Sequence, residues 1–145
     1  LAPDYAAAAS LSAVLGYSLL MQAEFPEAMA ELRPWLDHPD RTFWHHHFYA
    51  EALKALNCGA EAVEHYRQSI ADGSTFCGTI CQLLLALHRI KPALAVEQLQ
   101  QWPLPLPGYV PVSYTHLQPL ATVSSGGSLE AVQQRLHQLG LSRLV

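Results

Sequence analysis

The chain has 145 residues, of which 50% are hydrophobic and 14% are charged, and its formal net charge is −4. This composition excludes an intrinsically disordered chain, because enough apolar side chains are present to build a core. With only eight Lys and Arg residues, the sequence predicts neither a nucleic-acid partner nor binding to an anionic membrane surface. No apolar run approaches the roughly 20 residues that a membrane-spanning helix needs.

Cysteine usage bears on the compartment in which the protein works. Cys58, Cys77 and Cys81 are odd in number and form no disulfide pattern, which favours a reducing, cytoplasmic location. The first residue is Leu1, and no signal segment precedes it. We therefore expect the sequence to be part of a longer protein.

Helical patterns occupy the first half of the chain. Residues 5–22 are rich in Ala and Leu and predict a helix of four to five turns. A second helix is predicted over residues 25–36, with Pro26 in its first turn and Pro34 bending or shortening its end. Asp40 or Thr42 is expected to cap a third helix that continues to Leu56.

Three further helices complete the regular part of the sequence. Cys58-Gly59 is interpreted as the end of the third helix, since glycine is the usual left-handed terminator. A fourth helix is predicted over residues 60–71 and closed by Asp72-Gly73, a fifth over residues 75–88, and a sixth over residues 92–101. Because the connecting turns are short, neighbouring helices should form antiparallel hairpins.

The remainder of the chain has a different character. Residues 103–127 are rich in Pro, Gly and Ser and show no helical period, which predicts an irregular extension. Residues 128–145 begin with a capping Ser128, and their apolar stripe predicts a C-terminal helix. This helix is expected to dock on the preceding helices or to lead into a further domain.

The helices contain a weak internal sequence repeat. Residues 26–32 align with residues 60–66 at a spacing of 34, and the same shift relates Gly16 to Ala50 and Ala28 to Ala62. A third copy aligns Ala95 with Ala62 at a spacing of 33. Small residues at such fixed positions are expected to let the helices of a hairpin approach closely.

This period resembles that of the tetratricopeptide repeat (TPR) family, whose pattern Leu15-Gly16 and Ala62-x-x-x-Tyr66 match. The resemblance covers residues 9–102, about three repeats, and departs from the family where His46 replaces the leading Trp. It implies an all-α fold, a right-handed superhelix of antiparallel helix hairpins over residues 1–102.

The resemblance also implies a groove on the inner face of the superhelix. The family's inner-face positions map onto three stretches of this chain. The residues are Tyr17, Leu20, Trp44, His47, Glu51, Lys54, Cys81, Leu85 and His88. Such a groove would be apolar and aromatic with weak charge, a surface that suits an apolar or extended segment.

The consecutive histidines His45, His46 and His47 invite a metal or acid–base interpretation. On a helix, however, His45 and His47 lie about 200° apart and cannot meet on one ion. We expect three separate environments, with His46 inside the hairpin, His47 in the groove, and His45 towards solvent or the neighbouring hairpin. An alternative metal site would combine Cys77, Cys81 and His88, which share one face of the fifth helix.

The predicted function is a non-catalytic protein–protein interaction or scaffolding module whose partner is a protein or peptide segment. No cofactor and no catalytic residue are predicted, and the oligomeric state is left open. The alternative is that the chain forms the N-terminal helical-repeat part of a larger enzyme, such as a glycosyltransferase or other transferase. That alternative is an analogy from fold and not an inference from residues.

Overall fold

A computed structural model of the chain describes residues 4–101. Six α-helices make up most of this part. They are α1 (Tyr5–Met21), α2 (Phe25–Leu32), α3 (Phe43–Ala55), α4 (Gly59–Ala71), α5 (Cys77–Ile90) and α6 (Pro92–Gln101). Residues 4–101 contain no strand, so the prediction of an all-α fold is confirmed for this part of the chain.

The chain divides into two compact units, Leu1–Ser74 and Thr75–Val145. In the first unit, α1 packs on α2 and α3, α2 packs on α3, and α3 packs on α4; in the second, α5 packs on α6. The predicted extension over residues 103–127 and the predicted helix over residues 128–145 lie outside the described residues. A single repeat domain over residues 1–102 stays a prediction.

Helix ends follow local chemistry. Thr42 caps α3, and α2 stops at Leu32, where a 3-10 turn that contains Pro34 takes over, as the position of this proline predicted. The interpretation of Cys58-Gly59 as the terminator of α3 is wrong. Asn57 instead adopts the left-handed conformation with a φ of 61°, and Gly59 is the first residue of α4. Asparagine tolerates this conformation better than most residues, so glycine is not needed there.

The α1–α2 and α3–α4 turns have the same backbone hydrogen bonds, 34 residues apart (19 to 53 and 24 to 58). Glu24 N–H donates to Leu19 O at 2.9 Å, and Cys58 N–H donates to Leu53 O at 2.8 Å. The residue before each donor is left-handed, with a φ of 59° at Ala23 and of 61° at Asn57. This pattern is the Schellman motif, which satisfies carbonyl groups at a helix end.

Small residues occupy the closest helix crossings of the first unit. A Cβ atom added at Gly16 of α1 would lie 2.6 Å from Cδ2 of Leu32, a fully buried side chain of α2. Ala28, Ala50 and Ala62 also have no exposed surface. The expected close approach is therefore confirmed at Gly16, and it holds α1 against α2 beneath the surface described next.

Candidate interaction surface

The three consecutive histidines lie in three different environments, as predicted, and all are buried. His45 closes the start of α3: its Nδ1 accepts the Thr42 N–H at 3.0 Å, while the Thr42 hydroxyl accepts the Trp44 N–H at 3.3 Å. Its ring lies 5.7 Å from that of Trp35, which follows α2. Of the two predicted surroundings for His45, the neighbouring hairpin is confirmed and solvent is wrong, because the hydrogen bond from the Thr42 N–H turns the His45 ring inward.

His46 points into the α3–α4 hairpin, as predicted. Its Nε2–H donates to the Leu36 carbonyl at 2.9 Å, so in the neutral ring Nδ1 is left as an acceptor. That atom lies 2.9 Å from Nδ1 of His65, which must then donate the proton of this hydrogen bond. Burial lowers the pKa of both imidazoles, so both are neutral at pH 7.

His47 lies beneath an exposed layer of aromatic rings. Its ring meets Trp44 edge-on at 5.8 Å and Tyr66 edge-on at 5.8 Å between centroids. Burial is the main cause that lowers the pKa of His47, to about 4. At neutral pH the layer above it therefore rests on an uncharged, aromatic support.

Tyr17, Trp44 and Phe48 form a continuous run of rings that we call the aromatic face. Phe48 stacks on Trp44 at 5.2 Å with an interplanar angle of 16°, and Tyr17 of α1 lies 5.3 Å from Phe48. Tyr17 is exposed, and the other two are half-buried. The three side chains bridge α1 and α3 and present apolar ring surface to solvent.

Glu51 and Lys54 border this face one and two turns further along α3. Lys54 Nζ donates to Glu51 Oε2 at 3.0 Å, and the buried Tyr66 hydroxyl donates to Glu51 Oε1 at 2.6 Å. The carboxylate is therefore held by two donors, and its charge is compensated by the neighbouring ammonium group. The border of the aromatic face carries polar groups but no net charge.

A bidentate ion pair fixes the two helices that support the face. The Arg41 guanidinium, just before α3, donates to both carboxylate oxygens of Asp72, just after α4, at 2.8 and 2.9 Å. Burial alone would raise the pKa of Asp72, but the hydrogen bonds from Arg41 and Gln68 outweigh burial and lower it. Asp72 therefore stays ionised, and the ends of α3 and α4 remain joined.

The predicted groove residues divide among several places. Tyr17, Trp44, Glu51 and Lys54 lie together at the aromatic face. His47 lies beneath it and Leu20 deeper still, in a cluster with Ala28 and Ala52. Phe48, which links α1 to α3, was missed, although its position four residues after Trp44 places both rings on one side of the helix.

The remaining predicted residues belong to α5 in the second unit. Cys81 is buried, and Leu85 and His88 are half-buried. Burial, together with Cys77, raises the pKa of the Cys81 thiol to about 12, so the free thiol stays protonated at pH 7. Within residues 4–101, no group of three or more His, Cys, Asp or Glu side chains is arranged to hold a metal ion.

No protein-family model, curated protein or solved structure matches the chain. In the part of the chain that the structure describes, no helix combines the length and the apolar character that crossing a membrane requires. The function must therefore be argued from the surface itself.

Proposed function

We propose that the chain is a non-catalytic protein–protein interaction or scaffolding module, built from TPR-like repeats, that binds an extended peptide segment on its aromatic face. The observation that carries this proposal is the continuous run of Tyr17, Phe48 and Trp44, in which Tyr17 is exposed and the other two rings are half-buried. Aromatic rings bury a large area on binding at a low cost in side-chain entropy, and such residues dominate interface energetics.

The surroundings of the face indicate the chemistry of the partner. His47 is neutral because its pKa is about 4, and Glu51 is paired with Lys54, so no uncompensated charge stands at the face. A strongly acidic or basic peptide would gain little there. The matching ligand is an extended segment with apolar or aromatic side chains at alternate positions.

The helix arrangement supports a repeat architecture. The α1–α2 and α3–α4 hairpins share their turn geometry at a shift of 34 residues, and α1 packs on α3. In TPR-like superhelices the first helices of successive hairpins line the inner face, and here α1 and α3 carry the aromatic face. We extend this arrangement to a right-handed superhelix as part of the proposal.

Selection from a library of random linear peptides displayed on phage tests the proposal. Peptides selected on the wild-type chain are synthesised, and their affinities are measured by fluorescence anisotropy for the wild type and for Trp44→Ala. We expect the substitution to weaken binding about 10- to 30-fold, the loss typical of an aromatic hot spot. Tyr17→Ala, at an exposed position, is a second variant that leaves the fold intact.

Tyr5→Ala provides the matched control. Tyr5 is an aromatic residue of α1 whose exposed fraction, 47%, equals that of Tyr17, but its ring contacts His38 rather than the aromatic face. Its removal should leave the peptide affinities unchanged. Equal affinities for the wild type, Trp44→Ala and Tyr17→Ala would contradict the proposed binding surface.

A further inference from the structure

A second apolar surface lies on α1, opposite the side that packs on α2 and next to Tyr17. Besides Tyr5 and Tyr17, four large non-aromatic side chains of this helix are exposed by 44% to 66% of their surface. They are Leu11, Val14, Leu15 and Met21, which we call the outer stripe. At about 100° per residue they fall within about 120° around the helix axis, opposite the buried side that contains Ala13 and Gly16.

The whole of α1 lacks charge. Residues 5–21 contain no Asp, Glu, Lys or Arg, and their side chains with polar groups are three serines, Tyr5 and Tyr17. A surface helix of a monomeric protein normally carries charged residues on its solvent side. A helix that is apolar all round is one whose outer side is also covered.

The second hairpin indicates how this side of the helix packs. Three residues on the outer side of α1 align, at a shift of 34, with residues of α3 that are all buried. The pairs are Leu11 and His45, Leu15 and Tyr49, and Ser18 and Ala52. In α3 this side contacts the preceding hairpin, through Trp35, Arg33 and Leu20. The equivalent side of α1 has the same small and apolar character and faces solvent.

We propose that a second copy of the chain covers the outer stripe, through antiparallel packing of α1 against α1 about a two-fold axis. An interface between identical surfaces must be self-complementary, and charged groups near the axis would face like charges. The outer stripe avoids this conflict, although the chain as a whole carries a net charge of −4. The small residues Ala7, Ser10 and Ser18 between the large ones permit close approach of the two helices.

The area of the stripe sets the strength of the dimer. Four large side chains at these exposures offer on the order of 400 Å² per copy, about the largest apolar patch that a monomer usually exposes. Two such surfaces bury on the order of 800 Å², an area typical of weak, transient interfaces and below that of stable ones. We therefore expect a reversible dimer with a dissociation constant on the order of 10 µM.

Sedimentation velocity of the full chain, between about 1 and 100 µM, tests the proposal. The wild type should shift from monomer to dimer across this range. Val14 lies near the middle of α1, so in the antiparallel arrangement it lies close to its own counterpart. Val14→Glu and Val14→Lys should each remain monomeric at the highest concentration, because like charges meet at the axis. An equimolar mixture of the two variants should associate at least as tightly as the wild type.

The mixture identifies the occupant, because only pairing between copies brings residue 14 of one variant to residue 14 of the other. Ala30→Glu, which adds the same charge at an exposed position of α2, should dimerise like the wild type. A wild type that stays monomeric throughout, or variants that dimerise unchanged, would overturn the proposal. A third outcome would also overturn it: a wild type that stays monomeric, together with a Val14→Glu variant whose melting temperature is lower than that of the wild type. In that case a segment of the same chain would cover the outer stripe.

Discussion

Protonation of His47 should destabilise the folded chain in mildly acidic solution. The ring is buried among Trp44, Phe48 and Tyr66, and its pKa is about 4 in the folded state. In the unfolded chain a histidine has its ordinary pKa of about 6.5. Between these two values the unfolded state binds a proton that the folded state does not, so the free energy of unfolding falls as the pH falls.

The difference between the two pKa values sets the size of the effect. A lowering of about 2.5 units corresponds to about 3.4 kcal/mol once the pH is below 4. At pH 5 the loss from His47 alone is about 2 kcal/mol, and at pH 7.5 it is below about 0.1 kcal/mol. Burial also lowers the pKa values of His45, His46 and His65, so the loss for the whole chain should be larger.

Urea denaturation followed by circular dichroism at pH 7.5 and pH 5 measures this loss. His47→Gln removes the titrating group, and the difference in unfolding free energy between the two pH values should shrink by about 2 kcal/mol relative to the wild type. Val63→Ala, which removes methyl groups from a buried site on α4, is the control. It should lower stability equally at both pH values and leave their difference unchanged. If His47→Gln loses as much stability as the wild type between pH 7.5 and pH 5, the burial of a neutral His47 is refuted.

Two further predictions concern the packing of the first hairpin. Gly16→Ala should destabilise the chain by about 1–3 kcal/mol, because the added Cβ meets the buried Leu32 side chain, and Leu32→Val should reduce this penalty in a double-mutant cycle. Additive losses in that cycle would contradict the close approach of α1 and α2. Ala23→Gly should raise the melting temperature, since Ala23 has a φ of 59°, which costs an alanine about 1 kcal/mol more than a glycine. The control is Ala30→Gly, at an exposed helical position of α2, which should destabilise the chain by about 1 kcal/mol. If Ala23→Gly also lowered stability, the left-handed conformation of Ala23 would be contradicted.

Local features of the sequence predict the helices because the signals that begin and end them are themselves local. Thr42 and Pro34 act on the backbone within one turn, and their effects appear where the sequence places them. Asn57 was missed because glycine was taken as the terminator two residues later. An asparagine in the left-handed conformation leaves no sign in helical periodicity, since it follows the last apolar position of α3.

The contacts between helices could be predicted only in part. Helical geometry alone separates His45, His46 and His47 into three environments, and the structure confirms this. The hydrogen bond between His46 and His65 depends on the alignment of α3 with α4, which no local pattern contains. For the same reason the sequence does not predict that His47 is buried against Trp44 and Tyr66, nor that Phe48 contacts Tyr17 of α1.

The absence of charge from α1 follows from the three surfaces that this helix must serve. One side packs on α2 through Gly16, Tyr17 joins the aromatic face about 100° away from it, and the outer stripe lies on the remaining side. A charged residue on any of these sides would be buried by the fold or would stand at one of the two proposed interfaces. The two interfaces are nevertheless separable: Trp44→Ala should leave the dimer intact, and Leu11→Glu, in the outer stripe but about 120° around α1 from Tyr17, should leave peptide affinity intact. If either substitution removed both properties, the aromatic face and the outer stripe would have to be one binding surface.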